Sequence, residues 1–130
     1  MIFVGCVWGV LALLLGGRAF GDAIWIGILG APLVALVVGA LLQPRFEGAG
    51  RGARRLIALV SLYGGGTLFA LMIGLGGMLG LASGNRRFPA AIVEPVLGTW
   101  WGMTLTGFVL VLWPLAYATH WWLEWRTTTR

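Results

Sequence analysis

Residues 56–82 read LIALVSLYGGGTLFALMIGLGGMLGLA, a run without a single charged side chain. An α-helix needs about 20 mostly apolar residues to cross the roughly 30 Å hydrocarbon core of a bilayer. This run is longer than that, so the helix that it predicts either tilts or ends before the run does. An uncharged apolar run of this length is typical of a membrane-spanning helix, and it therefore decides the fold class.

The composition of the whole chain supports the same class. Of the 130 residues, 59% are hydrophobic and 10% are charged, and the mean hydropathy is +0.93. A soluble domain of this size needs far more polar surface. The length allows one compact unit, so we expect a single membrane domain over residues 1–130.

Three further stretches satisfy the same length requirement approximately, namely residues 2–17, 23–42 and 97–123. Only residues 18–22 separate the first two stretches, so we expect these two helices to form a tight antiparallel hairpin. The sequence thus predicts an all-α integral membrane protein with four transmembrane helices in a glycine-rich bundle.

The arginines predict the orientation of this bundle. All nine basic residues are arginine, and the net charge is +5. With four spans, both termini and the loop between spans two and three share one side, which then carries six of the nine arginines. Arginine is favoured on the cytoplasmic side, so we expect cytoplasmic termini in a bacterial inner membrane. The loop arginines behind this prediction are Arg45, Arg51, Arg54 and Arg55.

The same charges indicate the partners. Residues 47–55 are rich in glycine and arginine and predict a flexible basic loop. The positive charge is too sparse and too interrupted by apolar runs for a nucleic-acid surface. We expect membrane lipids with anionic headgroups as partners, and no nucleic acid.

Glycine accounts for 22 residues, and many of these recur at helical spacing. Small residues let helix backbones approach closely in lipid, where the hydrophobic effect contributes little to helix association. We expect helix packing at Gly5, Gly9 and Gly16 in span one, Gly66, Gly77 and Gly80 in span three, and Gly98 and Gly102 in span four. Some of these stripes are expected to face other integral membrane subunits.

The sequence gives little support for a catalytic or a transport function. It contains no nucleophile–base pair, paired carboxylates, metal-ligand cluster or phosphate-binding loop, so we predict that the protein is not an enzyme. Proton-coupled transport usually requires an ionisable group in mid-span, and the predicted spans have none. The deep polar groups are hydroxyls such as Ser61, Tyr63, Thr67 and Thr104, which we expect to bond to helix carbonyls or across helices.

His120 is the only histidine and lies among the tryptophans of the predicted fourth span. The tryptophans of that span are Trp100, Trp101, Trp121, Trp122 and Trp125. Residues 101 and 121 would be about 30 Å apart in a continuous helix, which matches the hydrocarbon thickness. We therefore expect two aromatic belts that anchor the span, with His120 hydrated at the cytoplasmic interface. Glu124, one turn further on, would accept a hydrogen bond from the ring.

A second interpretation concerns the segment from Ala116 to His120, which is followed directly by tryptophan. This segment resembles the Ala-x-x-x-His motif of bacterial light-harvesting polypeptides over about ten residues. The resemblance implies that Ala116 makes room for a bacteriochlorophyll ring and that His120 binds its magnesium. A haem is the other tetrapyrrole considered, and it would need a second axial ligand from a methionine or another copy of the chain.

The function predicted from these observations is that of a small accessory or scaffold subunit of a larger membrane complex, with photosynthetic or respiratory complexes as hosts and no cofactor required. The first alternative is a tetrapyrrole-binding protein that uses His120. The second alternative is a small transporter or channel.

Overall fold

The computed structural model describes residues 2–20, 24–79 and 89–128, and this part of the chain is helical apart from short turns. It contains five helices: α1 Ile2–Phe20, α2 Ile24–Glu47, α3 Arg51–Met78, α4 Ala90–Leu105 and α5 Val109–Thr128. The predicted all-α class is confirmed.

Two of the helices are long and apolar enough to cross a membrane on their own, and these are α2 and α3. Their most apolar windows have mean hydropathies of 2.3 and 2.0. Helices α4 and α5 form a third candidate span if the bent pair is counted as one, whereas the apolar segment described in α1, residues 3–14, is shorter. The structure thus has the character of a membrane protein, while the number of four spans stays a prediction.

The helices pack in chain order: α1 on α2, α2 on α3, and α3 on both α4 and α5. Helices α3 and α4 run antiparallel, since Gly74 approaches Ala91 near one end while Tyr63 bonds to Thr104 near the other. The largest cluster of buried apolar residues lies where α3, α4 and α5 meet, and it comprises Ala58, Leu62, Met103, Leu112 and Ala116.

The prediction of one continuous helix over residues 97–123 is wrong. The helix begins at Ala90, directly after Pro89, and the chain bends by 100° between α4 and α5. The break contains Gly107, whose φ of +76° is a left-handed conformation that glycine adopts without the steric cost of a Cβ. Pro114 lies inside α5. The bend therefore occurs at a glycine and not at a proline.

The prediction of a flexible basic loop over residues 47–55 is also wrong. Helix α2 continues to Glu47 and α3 begins at Arg51, so only residues 48–50 connect them. Arg54 stabilises this connection, because its Nε donates a hydrogen bond to the carbonyl oxygen of Ala49 at 3.0 Å. Arg45, Arg51 and Arg55 are exposed at the same end of the helices.

Close packing at glycine is observed for three of the predicted positions. A Cβ at Gly5 would lie 2.8 Å from the backbone nitrogen of Pro32, and one at Gly9 would lie 3.2 Å from the Cβ of Ala31. These contacts hold α1 against α2. A Cβ at Gly66 would lie 3.1 Å from the Cγ2 of Thr99, where α3 meets α4. A side chain at any of these positions would force neighbouring atoms apart.

The remaining predicted glycines behave differently. Within the described part of the chain, no neighbouring atom lies within 4 Å of a Cβ built on Gly77, Gly98 or Gly102, so these three make no close approach to another described helix. Their predicted role toward other subunits stays a prediction. Gly80 lies outside the described residues, and of Gly16 only the helical backbone is described. Sequence spacing missed the close contacts of Gly30, Gly74 and Gly76, which meet Met72, Ala91 and Ile26 respectively.

Candidate functional site

His120 lies at the centre of a buried polar network that joins three helices. Its side chain is only 5% exposed. The ring nitrogen Nε2 lies 2.7 Å from the Oγ of Ser61 on α3, and Nδ1 lies 2.5 Å from the Oε1 of Gln43 on α2. Gln43 and Ser61 are each 8% exposed, so the three side chains satisfy one another away from solvent.

The acceptors around Gln43 fix the direction of the hydrogen bonds. Its Nε2 donates to the backbone oxygen of His120 at 3.1 Å and to the Oε1 of Glu47 at 3.2 Å. The amide oxygen therefore faces the histidine ring and can only accept, so Nδ1 carries the proton. In the neutral ring Nε2 then accepts, and the hydroxyl of Ser61 is the donor.

The helix pattern of α5 explains why His120 faces inward. Leu112, Ala116 and His120 are spaced by four residues, and all three are buried. The imidazole stacks on Phe46, with ring centroids 4.9 Å apart and an interplanar angle of 21°. Phe46 has no exposed surface and also meets Tyr117 edge-on at 5.4 Å. This aromatic contact and the bonds to Gln43 together attach α5 to α2.

An ion pair closes the outer side of the network. The Nη2 of Arg54 lies 2.8 Å from the Oε1 of Glu124, and both side chains are 21% exposed. The guanidinium of Arg54 also lies over the ring of Phe46, 4.9 Å from its centroid. Arg54, proposed from sequence as a topology signal, is thus also a structural contact between α3 and α5.

Two predictions about His120 are wrong. The ring is not an exposed interfacial group, because the side chain is buried among three helices and both ring nitrogens lie within hydrogen-bond distance of protein side chains. Glu124 does not accept from the ring, because its carboxylate pairs with Arg54. Sequence reasoning counted along α5 alone, whereas the partners of His120 come from α2 and α3. On α3, Ser61 follows Arg55 by six residues. At 1.5 Å per residue, Ser61 is therefore about 9 Å further than Arg55 from the arginine-rich end of the helix.

The tryptophans occupy different environments. The indole N–H of Trp100 donates to Thr67 at 2.7 Å, and Trp122 packs near Phe3 with ring centroids 6.2 Å apart. The exposed members are Trp100, Trp101, Trp121 and Trp125. We expected about 30 Å between the two belts because we assumed a straight helix. The 100° bend between α4 and α5 shows that the helix is not straight. Interfacial anchoring by these residues stays a prediction.

The expectation for the deep hydroxyls is confirmed. Thr67 donates to the carbonyl oxygen of Tyr63 at 2.7 Å, one turn earlier in α3. The hydroxyl of Tyr63 lies 2.8 Å from the Oγ1 of Thr104 on α4. Tyr63 also meets the ring of Trp100 edge-on at 5.5 Å. The bond from Tyr63 to Thr104 and the ring contact with Trp100 join α4 to α3.

An elongated cleft of about 590 Å³ begins beside the network and extends through the bundle. At one end it is lined by Ser61 and His120, and at the other by Gly77 and Ala91. The space between these ends is bordered by all five helices, mostly through small and aliphatic side chains. The lining residues Ser61 and Gly77 are 16 positions apart on α3, so the cleft is about 24 Å long. Its volume falls within the range of roughly 300–1,000 Å³ typical of small-molecule sites.

The described residues hold no group of three His, Cys, Asp or Glu side chains that could bind a metal ion. Ala116 and His120, which the light-harvesting resemblance selects, both line the cleft. Axial ligation of a tetrapyrrole metal through Nε2 would require that nitrogen to leave the hydroxyl of Ser61.

Comparison with known proteins identifies no relative: no family model, curated protein or solved structure matches the chain.

Sequence reasoning missed Gln43, Phe46 and Ser61 as members of the site. Gln43 is the only glutamine of the chain, and it sits near the end of an apolar helix. A lone amide in such a position signals a polar contact between helices. Ser61 is among the hydroxyls that we expected to bond to carbonyls or across helices, but the pairing of Gln43 and Ser61 with His120 depends on the bend at residues 106–108.

Proposed function

We propose that this protein is a small integral membrane protein that acts as an accessory or scaffold subunit of a larger membrane complex. The observation that carries the proposal is the apolar outer face of α5. Leu110, Val111 and Trp121 are between 54% and 73% exposed, whereas the polar residues His120 and Glu124 face the bundle. A helix in water turns its apolar face to the core, so this arrangement suits lipid or partner helices.

Helix α2 supports the proposal with an apolar stripe. Its exposed residues recur about every four positions, so they lie on one face: Trp25, Leu29, Leu33, Leu36, Val37 and Leu41. No charged side chain interrupts this face between Trp25 and Leu41. Such a surface is suited to packing against lipid chains and against the helices of other integral membrane subunits. The host that we propose is a photosynthetic or respiratory complex.

We also propose four spans with cytoplasmic termini in a bacterial inner membrane. This rests on α1 as a first span and on the bent pair of α4 and α5 as a fourth, with α2 and α3 between them. The exposed arginines Arg45, Arg51 and Arg55 at the turn between α2 and α3 support the cytoplasmic placement of that turn.

Site-specific photo-crosslinking in native membranes tests the subunit role. A photoreactive amino acid replaces Leu29, which is 80% exposed on the α2 stripe. The matched control carries the same group at Ala53, which is exposed in the basic first turn of α3. A defined crosslink to another membrane protein from position 29, absent from position 53, supports the proposal. Crosslinks from position 29 to lipid alone would count against it.

Tetrapyrrole binding through His120 is the second candidate. The observation in its favour is that Ala116 and His120 lie one turn apart on the inward face of α5 and both line the cleft. The visible absorption spectrum of gently purified protein tests it. A band that disappears in His120→Gln but persists in Ser61→Ala would support ligation by the imidazole, whereas a colourless preparation from the native membrane would exclude this candidate.

A further inference from the structure

The cleft beside His120 has one polar end and an apolar body, which raises the question of what it binds. Its walls are formed by side chains such as Val34, Val38, Leu62 and Phe69, with glycines on α3 and α4 between them. None of the described residues that line it is an arginine. A buried anionic headgroup such as a phosphate or carboxylate would therefore lack a cationic partner, and its desolvation would be costly.

The hydroxyl groups of the cleft specify the polar end of the ligand. Four hydroxyl side chains line it among the described residues, and each donates its proton inside the protein. When the imidazole is neutral, Ser61 donates to the Nε2 of His120, because Nδ1 carries the proton that faces the Gln43 amide oxygen. The others donate to the carbonyl oxygen four residues earlier, and these are Thr99, Thr106 and Thr119. These hydroxyls therefore offer oxygen lone pairs to a ligand, and a ligand group that pairs with them must donate a hydrogen bond.

We propose that the cleft binds an amphiphile with an elongated apolar body and a terminal hydroxyl, and that the hydroxyl donates a hydrogen bond to the Oγ of Ser61. The other polar side chains in the lining are compatible with this class. Glu94 accepts when it is ionised, and Trp8 carries an indole N–H that a hydroxyl oxygen can accept. A neutral headgroup also avoids the cost of placing a charge beside buried apolar walls.

The volume of the cleft, about 590 Å³, lies within the range of roughly 300–1,000 Å³ that is typical of small-molecule sites. A lipid-like chain or a narrow fused-ring body suits this volume, and partner helices have the outer face of α2 available instead.

Photoaffinity labelling in reconstituted bilayers tests the proposal. The probe is hexadecanol that carries a diazirine in its chain and an alkyne tag, and the matched probes are its methyl ether and its carboxylic acid. A single hydrogen bond changes binding by about fivefold, so we expect at least that excess of labelling by the alcohol, competed by untagged hexadecanol. Equal labelling by the alcohol and the ether would overturn the hydroxyl assignment.

Two variants locate the site. Ser61→Ala removes the proposed acceptor and should abolish the preference for the alcohol, whereas Ser61→Thr keeps a hydroxyl and should retain it. Gly98→Leu fills the cleft from α4, where a Cβ meets no atom within 4 Å, and should reduce labelling by every probe. Gly64→Leu is the matched control, because this glycine is equally open but does not line the cleft.

Two outcomes would contradict the proposal at the level of the cleft. Labelling that Gly98→Leu leaves unchanged would place the alcohol elsewhere on the protein. Absence of labelling by all three probes, together with loss of association with another subunit in Gly98→Leu but not in Gly64→Leu, would assign the cleft to a partner helix. The crosslinking test at Leu29 concerns a different face, so its failure is distinguishable from either result.

Discussion

The Oγ of Ser61 and the Nε2 of His120 lie 2.7 Å apart, although the two residues are separated by 59 positions in the chain and belong to different helices. The contact ties α5 to α3, and the bond from Nδ1 to Gln43 ties α5 to α2 as well. Because all three side chains are buried, the removal of one leaves a polar atom of its neighbour without that partner.

We predict that Ser61→Ala destabilises the folded protein by about 1–2 kcal/mol, since His120 Nε2 then loses its donor in a buried environment. Ser61→Thr retains the hydroxyl and should cost less. Reversible unfolding in detergent micelles measures both variants. Equal stability of Ser61→Ala and the parent protein would show that the bond contributes nothing to the attachment of α5.

We predict that His120→Gln lowers the melting temperature more than Ser61→Ala does. The glutamine lacks the aromatic ring that stacks on Phe46. Its amide also cannot bond to Gln43 and Ser61 at the positions of the two ring nitrogens. Thermal unfolding followed by circular dichroism provides the comparison. The exposed residue Thr127 supplies a control, and Thr127→Gln should leave the transition within error. A smaller effect of His120→Gln than of Ser61→Ala would refute this ranking.

The predictions for Ser61 and His120 depend on contacts between helices that the sequence alone does not reveal. The apolar runs identified helices near residues 2–17, 23–42 and 56–82, because local hydropathy is enough to recognise a membrane helix. The environment of His120 depends instead on which helices meet after the bend at Gly107. A single glycine in an apolar stretch does not signal such a break, since glycine is common inside membrane helices.

The glycine contacts show the same difference between what local sequence indicates and what the tertiary structure determines. Spacing by four correctly selected Gly5 and Gly9, where α1 and α2 follow each other directly and pack along their length. It also selected Gly98 and Gly102, which face the cleft instead of a helix backbone. Spacing shows that a face is smooth, but the tertiary arrangement decides what the face meets.

We predict that Gly5→Leu destabilises the α1–α2 hairpin by about 1–3 kcal/mol, the usual cost of overpacking. Its Cβ would approach the nitrogen of Pro32 at 2.8 Å and the oxygen of Ala31 at 2.9 Å, and backbone atoms cannot move aside cheaply. Gly64→Leu, at an open position, is the control for added bulk. Protease sensitivity of α1 in reconstituted protein reports the result, and equal resistance of both variants would contradict the packing argument.

We predict that Glu124→Gln costs less than about 1 kcal/mol, because the pair with Arg54 is partly exposed and such pairs contribute little. Arg54→Ala should cost more, since it also removes the hydrogen bond to Ala49 and the contact with Phe46. Chemical denaturation in mixed micelles ranks the two variants. If Glu124→Gln is the more damaging change, Arg54 does not act through these additional contacts.

We predict that both termini and the turn at residues 48–50 lie in the cytoplasm. In a Cys6→Ser background, a single cysteine at Ala53 should be protected from a membrane-impermeant maleimide added to intact cells. A cysteine at Arg86, which lies outside the described residues, should react. The reverse pattern would invert the topology, and opposite reactivities of the two termini would show an odd number of spans.

The measurement that tests the central claim most directly is the accessibility of the outward face of α5 in lipid bilayers. Nitroxide labels at Leu110, Val111 and Trp125, one at a time in the Cys6→Ser background, are compared with a label at Thr127 near the end of the helix. We predict that relaxation by oxygen exceeds relaxation by a water-soluble nickel chelate at the first three positions, and that the nickel chelate dominates at Thr127. Nickel-dominated relaxation at Leu110, Val111 and Trp125 would place this face in water and contradict a membrane-embedded subunit.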